Sequence, residues 1–447
     1  MSIIDRFNRI PTRITVSLLL LVGIAERSLW NLIRSGIGAP DGEAFNIAAA
    51  LANGFGFADA FRVGQGPTAH LLPINPSIAG GLYAIFGIRA WPAEFLLACW
   101  SIGLAMGTYL LLFRAFGRLG SPRWARLIAL AFACIAPVYF TQESVDFRVW
   151  EGGLAAFLCA LFLDRLLAFQ SNKNLLMHAV AGMALLTALL FFVNPILGLG
   201  AYACAAIVCF KRLHGVRLAG TIGLAVGALA IFLTPWVIRN ALVMGEPILL
   251  RSDVGLELAI ANYAGAIEAK DPLDEFMLRL REIHPYQNGT LTVKRLGAYQ
   301  AMRMAGGEAA YARQLGNEAW RWIAANPWAA ARLASRHLRE VFAPEAWQFR
   351  TNSGTLPHLR AGLSSLAGLL GLLGLAYALY ERRPNWIYPT FLVTIPAISY
   401  CLFQPIPRYT YLFYPMLVFC AADFMGSIGS HWLRQYASGA SGGPAHL

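Results

Sequence analysis

Charged residues are scarce in this 447-residue chain, and their scarcity decides its class. Asp, Glu, Lys and Arg make up 13% of the sequence and hydrophobic residues 57%, with a mean hydropathy of +0.53. A soluble domain carries about 25% charged residues. The formal net charge of +12 does not indicate nucleic-acid binding, because Lys and Arg lie at the ends of apolar runs rather than in a soluble domain.

Paired cysteines and common nucleotide or zinc motifs are also missing. The seven cysteines lie in apolar runs, and none forms a CxxC pair. They predict small buried hydrophobic residues rather than disulfides or thiolate metal ligands. The sequence contains no P-loop and no HExxH motif, so it gives no sign of a nucleotide-hydrolysing or zinc-protease site.

Long hydrophobic runs predict an all-α protein, a polytopic bundle of about ten transmembrane helices with helical external loops. A helix needs about 20 apolar residues to cross a bilayer. The predicted spans are 13–33, 91–113, 124–141, 149–169, 175–194, 196–210, 217–237, 360–380, 386–403 and 409–429. They divide the chain into N-terminal helices at 1–237 with an external catalytic loop at 35–89, an external segment at 238–358, C-terminal helices at 359–430 and a disordered tail at 431–447. The segment at 238–358 contains two stretches with a helical pattern, 273–283 and 307–325.

Lys and Arg are concentrated in alternate loops, and this bias predicts the orientation. With the N-terminus inside, Arg6, Arg118, Lys211 and Arg383 fall in inner segments. The positive-inside rule then puts the segments 35–89 and 238–358 together on the outer side, which is the periplasm in a bacterium.

The connection at 35–89 is long for a loop between two spans and begins with two acids, Asp41 and Glu43. Carboxylates held just outside a bilayer suggest chemistry on a substrate that the bilayer delivers. Asp41 has an alternative interpretation as the N-cap of a helix that starts near Ala44.

Further ionisable residues fall at the same predicted membrane face, and such residues at membrane depth are functional candidates. They are Glu26, Arg27, Glu143, Asp146, Arg148, Glu151, Arg239 and Arg408. Arg239 and Arg408 stand near Trp236 and Tyr409, so each is either a phosphate ligand or an interfacial anchor.

Four stretches of the sequence resemble one known family in the expected order. They are GPTAHLLPINPSIAGGLYAIFG, LTPWVIRNALVMGEPILLRSDVGLELAIAN, GGEAAYARQLGNEAWRWIAANP and PRYTYLFYPML. Together they resemble bacterial membrane glycosyltransferases of the GT-C fold, the family 39 or aminoarabinose-transferase-like group. The chain departs from the family pattern where Gly42 separates the two acids, where Phe45 replaces a tyrosine, and where Glu151 follows Trp150 rather than Ser or Thr.

The resemblance implies an integral-membrane glycosyltransferase with a GT-C-like fold. Such an enzyme moves a sugar from a polyprenyl-phosphate donor, with inversion, to a glycolipid, polysaccharide or protein acceptor. It works at the outer face of the cytoplasmic membrane and needs no nucleic acid. No cofactor is identified, although Asp41 and Glu43 could hold a divalent metal cation.

The site prediction assigns a role to each candidate residue. Asp41 and Glu43 are the predicted catalytic acids, and Arg239, Arg408 and Arg27 are predicted to bind the donor phosphate. Further substrate contacts are predicted from the remaining polar candidates, which are Glu151, His70, Asn262, His284 and Tyr409.

Two other functions remain as alternatives. A transporter or flippase of lipid-linked sugars would also need polar residues inside a bundle, but it should show repeats and broken helices near the midplane. An O-antigen-ligase-like enzyme also uses Arg and His on an external loop, but that function gives no reason for the acidic start of the loop at 35–89.

Asp41→Asn separates the catalytic from the capping role of Asp41. Asparagine caps a helix as well as aspartate does, but it cannot accept a proton from the acceptor hydroxyl. We expect normal folding and a turnover lowered about 100- to 10,000-fold, the usual effect of a lost general base. Glu43→Gln is the companion variant and should cost less. Near-normal turnover of the Asn variant would leave Asp41 as a cap.

Overall fold

The computed structural model describes residues 11–34, 42–136, 143–171, 177–286, 293–349 and 356–440. Within them the chain is helical, and β-structure is limited to an isolated bridge between Ala58 and Pro67. The helices in chain order are α1 (Thr12–Arg34), α2 (Glu43–Ala52), α3 (Ile74–Phe86), α4 (Trp91–Arg118), α5 (Arg123–Ile135), α6 (Glu143–Asp146), α7 (Gly152–Ser171), α8 (Met177–Val193), α9 (Pro195–Arg212), α10 (Gly215–Met244), α11 (Val254–Ala261), α12 (Gly265–Glu268), α13 (Pro272–Ile283), α14 (Val293–Met304), α15 (Glu308–Ala325), α16 (Pro327–Phe342), α17 (Leu356–Tyr380), α18 (Ile387–Tyr400), α19 (Pro407–Thr410) and α20 (Tyr414–Ala440).

Six of the described helices are long and apolar enough to cross a membrane. They are α1, α4, α7, α9, α10 and α17. The prediction of an all-α, multi-pass membrane protein is confirmed. The other four predicted spans coincide with α5, α8, α18 and the apolar part of α20, which are shorter in the described residues. From Tyr414 to Ala422, α20 is fully buried, so this part of it packs in the core of the bundle rather than against lipid.

We call the segments at 35–89 and 238–358, which the sequence predicts to be external, the first and second external segments. In its described residues, 42–89, the first external segment folds back on itself. The helices α2 and α3 pack side by side, and a Cβ at Gly80 would lie 2.8 Å from the Cβ of Leu51. Only glycine allows this close approach. Between the two helices, the carboxylate of Asp59 accepts hydrogen bonds from the backbone N–H groups of Gly64 and Gly66 at 3.1 and 2.9 Å. The loop therefore has an ordered shape of its own.

The second external segment contains the helices α11 to α16, including two that the sequence predicts at 273–283 and 307–325. Local signals explain the first of them, α13. Asp271 accepts hydrogen bonds from the N–H groups of Leu273 and Asp274, and Pro272 occupies the first turn, where no N–H is required. The helices α11 and α15 cross at Gly255 and Gly316, where a Cβ on Gly255 would lie 1.9 Å from the Ala312 carbonyl oxygen.

The carboxylate of Glu308 joins the two external segments. It accepts hydrogen bonds from Gln65 Nε2 (2.9 Å), Thr68 Oγ1 (2.7 Å) and the Ala69 N–H (2.6 Å), all in the first segment. A fourth bond comes from Ser252 Oγ at 2.9 Å. Glu308 is buried, so these donors replace the water that a carboxylate otherwise binds.

Glu308→Ala should destabilise the protein strongly, because it leaves four donors without their shared acceptor. A hydrogen bond to a charged group contributes about 1.5–3 kcal/mol to stability, and we expect the free energy of unfolding to fall by at least that amount. Thermal unfolding in detergent measures it. Glu246→Ala is the matched control, because Glu246 pairs with Arg313 on the exposed surface and such pairs contribute about 0–1 kcal/mol. Equal shifts of the two midpoints would contradict the structural role of Glu308.

Candidate active site

A cavity of about 250 Å³ lies where the two external segments meet one end of the helix bundle. Both segments contribute to its wall, and so do the ends of α7, α8, α9 and α18 and the chain around α19. The polar and charged residues in the wall are Glu43, His70, Glu151, Asn194, Arg251, Asp253, Glu257, His284, Tyr400, Arg408 and Tyr409. Apolar residues, among them Leu71, Phe147, Ile196, Phe403 and Leu412, form the rest.

A second cavity of about 300 Å³ adjoins the first. The two cavities share five wall residues, which are Glu43, Glu257, His284, Arg408 and Tyr409. Phe276, Leu280 and Tyr286 complete the second cavity on the side of the second external segment. Two molecules could therefore approach the same group of charged side chains from different directions.

Glu43, His70 and His284 form a cluster in this site. Their nearest ligand atoms all lie within 4.8 Å of one another, and His284 Nε2 is 3.5 Å from Glu43 Oε1. Phe61 packs edge-on against both imidazole rings. Burial lowers the pKa of His70 well below its usual value, and His284, Arg251 and Arg408 lower it further. His70 is therefore neutral at physiological pH.

The donor set of two imidazoles and one carboxylate fits Zn²⁺, which uses three such ligands in catalytic sites and keeps a fourth position open. One contact competes with metal binding. The Tyr286 N–H donates a hydrogen bond to His284 Nδ1 at 3.2 Å, and this favours the tautomer that carries its proton on Nε2, facing Glu43. A zinc ion would need the unprotonated Nε2, so the two states of the cluster exclude each other.

Two arginines supply positive charge to the cavity in different ways. Arg251 is paired with Glu151 and lies 3.8 Å from Asp253. Arg408 lies over the ring of Trp150, 4.3 Å from its centroid, and its Nε is buried without a hydrogen-bond partner. Among the described residues no acid lies within ion-pair distance of Arg408. Of the two, Arg408 is the cation with capacity for an anionic ligand.

Glu257 is a cavity residue that the sequence analysis did not identify. Burial raises its pKa to about 7, Asp253 and Glu43 add to the rise, and Arg408 and Arg251 oppose it. Burial also raises the pKa of Asp253 to about 6. A carboxyl group with a pKa near 7 can accept or donate a proton at physiological pH. Asp253 and Glu257 are four residues apart and share a helix face, a spacing that could have indicated a site.

The structure brings six of the predicted site residues to the cavity wall. They are Glu43, His70, Glu151, His284, Arg408 and Tyr409. Asp41 lies outside the described residues, and its neighbour Gly42 lines the second cavity. The predicted roles of these residues stay predictions, because shared position does not by itself show what a residue binds.

Arg27, predicted as a phosphate ligand, lies inside the bundle and does not line either cavity. Its guanidinium is fully buried and contacts Glu143 at 3.2 Å and Tyr109 Oη at 3.0 Å. It also donates to the carbonyl oxygens of Ala133 and Cys134. Arg27 therefore ties α1 to α4, α5 and α6. The structure does not bring it to the cavity wall, and its role as a phosphate ligand stays a prediction.

Arg239 and Asn262 also lie away from the two cavities, so their predicted binding roles stay predictions. Arg239 donates to the carbonyl oxygens of Phe57 and Thr68, the second at 2.6 Å, and so fixes the loop of the first external segment. Asn262 donates to the carbonyl oxygens of Leu258 and Leu402 at 3.0 and 2.8 Å. Neither residue lines the two cavities. Both position parts of the wall instead.

Comparison with known proteins gives structural neighbours only. No protein-family model matches the chain, and no curated protein is significantly similar to it. The oligosaccharyltransferase AglB from Archaeoglobus fulgidus, solved with an inhibitory peptide and a dolichol-phosphate, aligns with a TM-score of 0.49 and 14% identity over 100% of this chain. An A. fulgidus oligosaccharyltransferase solved with Zn and sulfate aligns with a TM-score of 0.49 and 12% identity over 94% of this chain.

This chain spans about half the length of these neighbours, 53% of the first and 49% of the second. At such identities and TM-scores the likeness establishes neither a family nor an activity.

Zinc titration tests the Glu43–His70–His284 cluster. We expect the purified protein to bind about one Zn²⁺ ion per chain, as a three-ligand site does, and His70→Ala to lose it. Affinity should rise with pH, because only the unprotonated imidazole and the ionised carboxylate bind metal. His178→Ala, which removes an exposed histidine of α8, is the matched control. A wild-type protein that binds no zinc would leave the His284–Glu43 contact as the resting state of the cluster.

Proposed function

We propose that this chain is a membrane glycosyltransferase of GT-C type. It would transfer a sugar from a polyprenyl-phosphate donor to an acceptor at the outer face of the cytoplasmic membrane, with inversion at the sugar carbon. The observation that carries the proposal is the position of Arg408. It has no acid within ion-pair distance among the described residues, and it lines both of the adjoining cavities.

The first cavity suits the donor. Its wall is largely apolar, with Leu71, Ile196 and Leu412 beside the charged groups, as a lipid-linked substrate requires. Arg408 would bind the phosphate through its paired N–H donors. Arg251 would contribute less, because Glu151 and Asp253 already balance its charge. Positive charge at this point also stabilises the phosphate as it leaves the sugar.

The second cavity suits the acceptor, since it shares five wall residues with the first cavity, among them Arg408 and Glu257. An inverting displacement needs the acceptor hydroxyl on the face of the sugar opposite the leaving phosphate, and a base that takes its proton. Asp41 is the base that the sequence predicts. Glu257 is a second suitable carboxyl, because it lines both cavities and has a pKa near 7.

The activity is tested directly with the purified protein in liposomes. A panel of polyprenyl-phosphate sugars is supplied, and release of polyprenyl phosphate is measured together with the glycosylated product. Mass spectrometry of envelope glycolipids from a deletion strain and its parent identifies the natural acceptor. Movement of intact donor across the bilayer without cleavage would favour a flippase.

Normal turnover of Asp41→Asn with loss of turnover in Glu257→Gln would assign the base to Glu257.

Arg408→Ala should weaken donor binding in folded protein. A hydrogen bond to a charged group contributes about 1.5–3 kcal/mol, which corresponds to about a 10- to 100-fold loss of affinity. Arg408→Lys should restore little of it, because an ammonium cannot form the paired contact. Binding of a fluorescent polyprenyl phosphate measures the affinity.

Arg239→Ala is the matched control for this experiment. It removes a guanidinium that holds backbone carbonyl groups, so we expect lower thermal stability and nearly unchanged donor affinity in the folded fraction. Unchanged affinity in Arg408→Ala would return Arg408 to the role of an interfacial anchor.

A further inference from the structure

We propose that the end of the bundle away from the active site holds a binding site for one anionic diacyl phospholipid. The site is a half-open cavity of about 260 Å³ lined by α7, α8, α9 and α10. This proposal does not depend on the glycosyltransferase activity, because it concerns other residues and another ligand.

The wall of this cavity suits a hydrocarbon chain. It is made of aliphatic and aromatic side chains, including Leu166, Phe169, Met183, Phe210 and Leu229. Its two threonines direct their hydroxyl groups to their own helices, because Thr187 donates to the Met183 carbonyl oxygen and Thr221 to the Arg217 carbonyl oxygen. The surface that faces the cavity is therefore almost wholly apolar, and such a surface binds water poorly. Within a membrane an empty void loses van der Waals contacts that a lipid chain would make.

The rim of the cavity is positively charged. Arg212 lines the cavity and donates to the Phe169 carbonyl oxygen at 3.1 Å, while Lys211 and Arg217 are exposed beside it. Residues 165–245 include no Asp or Glu. The nearest preceding acid, Asp164, is bound by Arg114 and Arg118. In the part of the chain that the structure describes, no ion pair joins Lys211 or Arg217 to an acid.

The combination of the rim and the wall identifies the ligand class. Basic pockets between transmembrane helices bind anionic lipid head groups, and the first N–H groups of α10 lie at the same rim without a side-chain cap. A chain that reaches from Arg212 to the level of Tyr202 extends about 15 Å along α9. This places the head group at the rim and one acyl chain in the cavity.

One polyprenyl-phosphate donor cannot place its phosphate both in the active site and at the rim of this cavity. The helix α9 runs from Pro195, in the wall of the first cavity, to Arg212 at the rim. At about 1.5 Å per residue these ends are about 25 Å apart. A donor whose phosphate contacts Arg408 therefore cannot place that phosphate among Lys211, Arg212 and Arg217.

Native mass spectrometry of the detergent-purified protein tests the site, with phosphatidylglycerol and phosphatidylcholine of equal chain length as probes. We expect one retained phosphatidylglycerol per chain and about tenfold weaker retention of phosphatidylcholine. Ala205→Phe fills the cavity and should remove both lipids. Ala219→Phe makes the same change at an exposed position of α10 outside the cavity and should retain phosphatidylglycerol.

The charged rim is tested separately. The double variant Lys211→Gln and Arg217→Gln should bind both lipids equally, whereas Arg382→Gln, at an exposed cation elsewhere, should keep the preference. If Ala205→Phe fails to fold, Ala184→Phe fills the cavity from α8. Equal retention of both lipids by the wild type, or unchanged retention in both filled variants, would overturn the proposal. Displacement of phosphatidylglycerol by a lower concentration of geranylgeranyl phosphate would reassign the cavity to the donor lipid.

Discussion

The hydrogen bonds to the Glu308 carboxylate are the interaction on which the candidate active site depends. They join residues about 240 positions apart in sequence, from Thr68 to Glu308. His70 follows Ala69, whose N–H is bound by the same carboxylate, so the position of His70 follows from this contact. A buried carboxylate that loses its donors keeps the cost of its desolvation. The two external segments are therefore held firmly in one arrangement. In this arrangement Glu43 of the first segment and Glu257 of the second segment line the same cavities.

Burial then sets the charge states of the site. It keeps His70 neutral and raises the pKa values of Glu257 and Asp253, so the cavity contains both potential metal ligands and a carboxyl that can exchange a proton near neutral pH. The same low dielectric strengthens a contact between Arg408 and an anion. The surroundings thus prepare ordinary side chains for chemistry that they would perform poorly in water.

The arginines show how one residue type serves different purposes in this protein. Arg27 lies in the bundle against Glu143, Arg239 holds two carbonyl groups of a loop, and Arg408 lies over Trp150 at a cavity. All three occupy similar positions in the sequence, near the predicted outer end of an apolar run. Their roles differ because their partners differ, and each partner is distant in sequence.

The sequence by itself determined the all-helical, multi-pass architecture, the helices at 273–283 and 307–325, and six residues of the cavity wall. These features depend on local properties, because bilayer thickness fixes the length of a span and caps such as Asp271 fix the start of a helix. The tertiary structure alone decided that Arg251 pairs with Glu151 and that Glu257 lines two cavities. It also decided that Arg27 and Arg239 line neither cavity. Such assignments require contacts between residues that are often a hundred or more positions apart, and the pattern of apolar and charged residues along the chain carries no information about which of them meet.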